Sequence, residues 1–162
     1  MRPKVYLDSS VPSYLTARPN RDVFISAMRQ WTQDWWENLR HKYDLYISDF
    51  VLLEIRRGDA AAALLRSNVL KDIAILEDTK TARRFARKLV RRLALPRAAV
   101  MDAYHIAIAI EGGMDILLTW NCTHIANPRH QPAIRELAQR RGFDVPVICT
   151  PRELLDGETD GA

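Results

Sequence analysis

Four oxygen-bearing side chains, far apart in the sequence, have the types and surroundings to do chemistry: Asp8, Glu54, Asp102 and Asn121. Each stands in or beside a short apolar run. Asp8 ends KVYLD, Glu54 lies in DFVLLEI, Asp102 opens MDAYHIAIA and Asn121 follows DILLTW. In an open parallel sheet, ligands collect outside the carboxyl ends of the strands, because loops and helix N-termini converge there. Three carboxylates gathered at such an end repel one another, and burying them unpaired is costly. A divalent cation removes that objection: Mg²⁺ and Mn²⁺ take oxygen ligands and complete their shells with water and phosphate oxygens. Such an ion activates water and stabilises the charge that develops in phosphodiester displacement. Spacing alone leaves a plainer alternative open. Scattered acids after strands are common, and a carboxylate in the first turn of a buried helix is favoured by the helix dipole and can cap free N–H groups.

The elements that would position these residues follow from the pattern of apolar positions. Lys4 to Leu7 predicts a buried strand that feeds a loop through SSVPSY and ARPN. Phe24, Ala27, Met28, Trp31, Trp35 and Leu39 recur at helical steps, predicting a long amphipathic helix from Asp22 to Lys42. Leu45 to Ser48 reads as a second strand, followed by a helix capped by Asp49 and ended by Gly58, with Glu54 about two turns in. A helix over Ala60 to Leu70 and a weak strand over Ile73 to Leu76 come next. Asp78 or Thr79 starts a basic helix that Pro96 stops. A nearly all-apolar helix spans Arg97 to Glu111, Gly112-Gly113 ends it, and Ile116 to Thr119 is a strand. Asp115 precedes that strand, at the wrong end for the acidic group, and belongs in the turn. Pro128 to Arg141 reads as a helix, Pro146 to Cys149 as the last strand, and TPREL as the start of a short helix. Alternating strands and helices predict an α/β fold: a single parallel β-sheet flanked by helices. Residues 1–155 form the predicted domain and 156–162 a polar tail.

The bulk composition agrees with one ordinary domain. The chain has 162 residues, 48% of them hydrophobic, enough to bury a core. No apolar stretch reaches the roughly 18 residues of a transmembrane helix, and MRPKVYLD lacks the apolar region of a signal peptide, so the expected location is cytoplasmic. Two cysteines, Cys122 and Cys149, cannot supply a disulfide framework, and the Cys122/His124 pair is too short for zinc. The 24 Lys and Arg against 20 Asp and Glu lean mildly toward nucleic acid.

VYLDSSV, SDFVLLEI, MDAYHIAIA and DILLTWN, in this order and at these separations, resemble the PIN-domain ribonucleases, particularly the VapC-type toxins of toxin–antitoxin pairs. The resemblance spans Lys4 to Leu155. It implies a PIN-like fold and an Mg²⁺- or Mn²⁺-dependent endoribonuclease with Asp8, Glu54 and Asp102 as metal ligands. It also implies an RNA substrate, an antitoxin protein that covers the acidic groove, and a homodimer. Two positions depart from the pattern. Asn121 stands where many such nucleases place an Asp; it can orient water but brings no negative charge. Ser9-Ser10 replaces a Thr-Asn pair, a milder change because hydroxyls still bond to water or phosphate.

The neighbouring residues carry both functional and structural readings. His105, three residues after Asp102 and on nearly the same helix face, suits a packed, hydrogen-bonded histidine more than a catalytic acid or base. Ser9 and Thr119 can bond to substrate or to a carboxylate, and Trp120 can stack on a nucleobase or pack in the core. Arg91 and Arg92 belong to a run of cations on the basic helix, either a solvated face or a contact for RNA phosphates or an acidic partner. Trp31, Trp35 and Trp36 suit the core first and a dimer or antitoxin interface second. The alternative function is a catalytically weak or inactive PIN-like module that binds RNA or protein without cutting, an alternative that Asn121 motivates.

Overall fold

The computed structural model of the chain describes residues 1–159. Five strands, β1 (Lys4–Leu7), β2 (Asp44–Ser48), β3 (Ala74–Leu76), β4 (Ile116–Leu118) and β5 (Val147–Cys149), form one sheet in the order β3-β2-β1-β4-β5. Every pairing is parallel. Central β1 is flanked on both sides and its Val5, Tyr6 and Leu7 are fully buried, as a strand covered on both faces requires. Register places Tyr6 opposite Tyr46 of β2 and Leu117 of β4, so the carboxyl ends of these three strands open onto the same edge.

Among the described residues, eight α-helices connect and cover the sheet: α1 (Ser10–Leu15), α2 (Val23–Asn38), α3 (Asp49–Ile55), α4 (Ala60–Val69), α5 (Lys80–Arg92), α6 (Val100–Glu111), α7 (Gln131–Gln139) and α8 (Pro151–Thr159). Side-chain caps set the starts of α2, α4 and α5. Asp22 accepts the Phe24 and Ile25 N–H groups, Asp59 accepts that of Ala62, and Thr79 accepts that of Ala82. In α5, Ala82, Phe85, Ala86 and Leu89 are buried at three- and four-residue steps and the cations lie outside. In α6 every residue from His105 to Ile110 is buried. Where α6 ends, a Cβ on Gly112 would stand 3.0 Å from both the Ile108 carbonyl and the Leu76 side chain, so the close approach to β3 favours glycine.

Three local expectations are corrected. The segment after Asp8 is a helix, α1, rather than a loop. Pro12 sits in its first turn, where a missing N–H costs nothing, and Val11, Pro12 and Leu15 are buried, but six residues are too few to establish a period. The helix expected over Asp22 to Lys42 ends at Asn38, and a 3-10 turn follows over Arg40–Lys42. The N-cap position of α3 is Ser48 and not Asp49. Helix α8 runs from Pro151 to Thr159, and residues 160–162 of the expected tail lie outside the described residues. Among the described residues, no helix is long and apolar enough to cross a membrane.

Candidate active site

The carboxyl edge of the sheet gathers the four polar residues from four different elements. Asp8 follows β1 directly, and its N–H pairs with the Leu118 carbonyl at the end of β4. The side chain is 3% exposed, yet both oxygens are engaged. Oδ1 accepts the Ser10 N–H at 3.1 Å and the Ser10 hydroxyl, and Oδ2 accepts the Thr119 hydroxyl at 2.6 Å. Burial pushes the Asp8 carboxyl above its usual range, against the pull of His105 and of these hydrogen bonds. Thr119 also accepts the Asn121 N–H at 2.9 Å, which locks the turn after β4 to Asp8.

Asp102 lies in the first turn of α6 without capping it: the helix has no side-chain cap. Its carboxylate instead accepts a hydrogen bond from the Asn121 side chain. Burial raises Asp102, and the Asn121 bond and the charge of His105 offset only part of that. The Asn121 oxygen, for its part, accepts the His124 N–H at 3.0 Å. The residue therefore stabilises both the turn and Asp102, and its missing charge leaves one fewer anion at the edge.

Glu54 reaches the cluster from the last turn of α3. One oxygen is bonded to Nε2 of His105, and the other accepts the Ser9 hydroxyl at 3.3 Å. Burial alone would raise Glu54, but the bond and charge of His105 hold it below the usual carboxylate range. His105 responds in the opposite sense: burial would lower it, and Glu54, Asp8 and Asp102 together raise it. The ring is 1% exposed, with both nitrogens bonded, so the packed, hydrogen-bonded histidine is what the structure contains.

The remaining sequence candidates fall into two groups. Ser9 and Thr119 touch the acids directly, and sequence reasoning gave Ser10 too little weight: it bonds Asp8 twice and its hydroxyl accepts the Trp120 N–H at 2.8 Å. Trp120 is half-buried, stacked on Trp31 at 6.2 Å and edge-on to Tyr14, with its indole N–H donated to Thr32. That is the packing arrangement. Arg91 and Arg92 are exposed on the last turn of α5, and Arg92 pairs with Glu136 of α7. Asp115, at the other end of β4, accepts the Lys4 N–H.

As their side chains stand, no three His, Cys, Asp or Glu groups among the described residues are placed to share a metal ion. Each carboxylate is directed at a protein partner. The donor chemistry nevertheless suits a hard divalent cation: oxygen ligands only, with the buried Asp8 and the half-buried Asp102 both raised above the usual carboxylate range.

A family model, PIN domain, matches residues 5–121, well over half of the chain and inclusive of all four polar residues. The chain belongs to the PIN domain family. Among solved structures, a chain of VapBC2 from Rickettsia felis, crystallised bound to a DNA fragment from their promoter, shares this PIN fold. Its TM-score is 0.56 at 12% identity, over 91% of this chain and 98% of that one. VapC20 from Mycobacterium tuberculosis, a sarcin–ricin loop cleaving toxin, superposes with a TM-score of 0.59 at 16% identity, over 75% of this chain and 93% of that one. No curated protein matches the sequence significantly.

Proposed function

We propose that this PIN-domain chain is a divalent-metal-dependent endoribonuclease that acts in the cytoplasm as the toxin of a toxin–antitoxin pair. The observation that carries the reading is the convergence of Asp8, Glu54 and Asp102 at one edge, with burial raising Asp8 and Asp102. Mg²⁺ or Mn²⁺ held by the three carboxylates would supply the Lewis acid and the activated water that phosphodiester hydrolysis needs. The chain's own residues do the rest. Ser10 and Thr119 hold Asp8, Asn121 holds Asp102, and His105 and Ser9 hold Glu54, so each carboxylate is oriented before substrate arrives. Thr119 is fully buried with its hydroxyl held by Asp8, so of the two expected substrate hydroxyls only that of the partly buried Ser9 is offered to an RNA phosphate. The exposed face of α5, with Arg91 and Arg92, supplies salt-sensitive attraction for the RNA backbone.

The toxin assignment rests on likeness to VapC20 and to the VapBC2 complex, and it brings two partners: an antitoxin protein over the acidic edge and a second copy of the chain. Phe24, 80% exposed at the start of α2, gives such a partner apolar surface. The test is incubation of purified, antitoxin-free protein with structured and unstructured RNAs. Cleavage should need Mg²⁺ or Mn²⁺, stop in chelator and vanish in Asp102→Asn. Cutting that persists in chelator would contradict the mechanism. The second reading, a module that binds without cutting, is favoured by Asn121 in place of an acid; it predicts RNA retention with no cleavage and no calorimetric Mn²⁺ uptake.

A further inference from the structure

Behind Glu54 lies a line of polar groups in otherwise apolar surroundings. Ser48 at the end of β2, Tyr6 on β1 and His105 on α6 are fully buried or nearly so. The Ser48 and Tyr6 hydroxyls are 2.7 Å apart, the Tyr6 hydroxyl is 2.7 Å from Nδ1 of His105, and Nε2 of His105 bonds to Glu54. Among these groups, only Glu54 reaches the acidic edge, and its side chain is 22% exposed. Asp8 lies directly after β1 and two residues beyond Tyr6, and its N–H still pairs with the Leu118 carbonyl, so the strand's alternation carries both side chains to the same face and runs the line beneath the site.

Buried polar groups cost stability unless all are satisfied, and an apolar set of the same shape would fill this space as well. The line has a direction instead. An ionised carboxylate only accepts, so the hydrogen of the last bond is on Nε2. A neutral ring then takes the Tyr6 hydroxyl hydrogen at Nδ1, with Ser48 donating to Tyr6. A protonated ring donates to Tyr6, which turns its own hydrogen to Ser48. The two hydroxyls rotate to serve either state, so the ring keeps one orientation whichever protons it carries. One Glu54 oxygen is thereby occupied, and the other, bonded only by Ser9, is left toward the cluster.

We propose that Ser48, Tyr6 and His105 form a positioning chain that fixes the Glu54 carboxylate so that a single oxygen faces the acidic cluster, with Tyr6 acting on that site entirely through Glu54. The inference deepens the proposed function and rests on it where metal uptake is the readout. Tyr6→Phe tests it, since it keeps the ring and its packing and removes only the hydroxyl.

Calorimetric titration with Mn²⁺ compares wild type, Tyr6→Phe, Glu54→Gln and the double variant, each checked by its circular-dichroism melt. Tyr6→Phe should weaken Mn²⁺ about tenfold, the lower end of what groups that orient a ligand contribute. In the Glu54→Gln background the same change should cost less than about twofold, because its target is gone. Equal weakening in both backgrounds, or none in wild type, would overturn the proposal. If Tyr6→Phe does not fold, Ser48→Ala takes its place with the same non-additivity expected. A wild type that takes up no Mn²⁺ would refute the metal reading instead. The positioning chain is then decided by the ring ¹⁵N spectrum of His105, which needs no metal: one sharp state in wild type, and an exchange-broadened or shifted one in Tyr6→Phe. Identical spectra would sink it.

Discussion

Asp8 and Asp115 stand on neighbouring strands of one sheet, at its opposite ends. Asp115, before β4, is exposed and accepts a single backbone N–H, that of Lys4, at 2.7 Å. Asp8, after β1, is buried among hydroxyl donors, a histidine and two other acids, and burial disfavours its charge. One residue type on adjacent strands thus serves two purposes. At the amino end the carboxylate finishes a sheet edge; at the carboxyl end it is kept at a cost that the apo protein does not recover. A carboxylate buried in this way is a candidate functional group, and under the proposed function stability and activity are expected to oppose each other there.

The sharpest way to break the contrast is to remove each acid in turn. Asp8→Asn should lower RNA cleavage by at least about 100-fold, since loss of a group that merely orients a ligand already costs up to that much. Asp115→Ala should leave cleavage within about twofold in the same assay.

Next in size is the pH dependence of stability in chelator. Asp8, Asp102 and His105 all have folded-state pKa values above their ordinary ones. Each therefore contributes stability that is present at low pH and lost as pH rises through the folded value. Glu54 has the opposite sign, but its contribution is lost only as pH falls below its ordinary value of 4.5. Thermal melts from about pH 5.5 to about pH 8.5 should thus show Tm falling with pH. Mn²⁺ should restore most of the loss, and Asp8→Asn should flatten the curve and raise Tm at the alkaline end.

Smaller still is the change at the position that lacks a charge. Asn121→Asp should lower the Tm of the metal-free protein, because it exchanges the hydrogen bond to Asp102 for a like charge. It should also tighten Mn²⁺ on the order of tenfold by calorimetry, as expected for an added unit charge within a few ångströms. The smallest effect is the stability cost of Asp115→Ala, about 1 kcal/mol in denaturant melts for one exposed backbone hydrogen bond.

The sequence makes one end of this contrast more legible than the other. The strand-end rule alone separates Asp8 from Asp115, because it needs only chain direction and the position of apolar runs. Helices α2 and α5 are likewise readable from period and caps, and α6 from its nearly unbroken apolar run and the glycines that end it. What holds the acids is not readable, because the partners are brought together only by the fold. Tyr6 and His105 are 99 residues apart, and Thr119 and Asp8 are 111 apart. Tyr6 looks like an ordinary strand residue until its hydroxyl is placed. Ser48 illustrates the same limit: its position at the N-cap of α3 is one residue before the expected one, and its hydroxyl serves Tyr6 and makes no cap hydrogen bond. Asn121 is visible as a missing charge, while its bond to Asp102 is not.

The central claim is that the acids at the carboxyl edge hold a divalent ion. Crystals grown with Mn²⁺ and measured at a wavelength where manganese scatters anomalously test it most directly. An anomalous peak is expected at about 2.1 Å from carboxylate oxygens of Asp8 and Asp102, absent in Asp8→Asn. No peak there, at a Mn²⁺ concentration that supports RNA cleavage in solution, would contradict it.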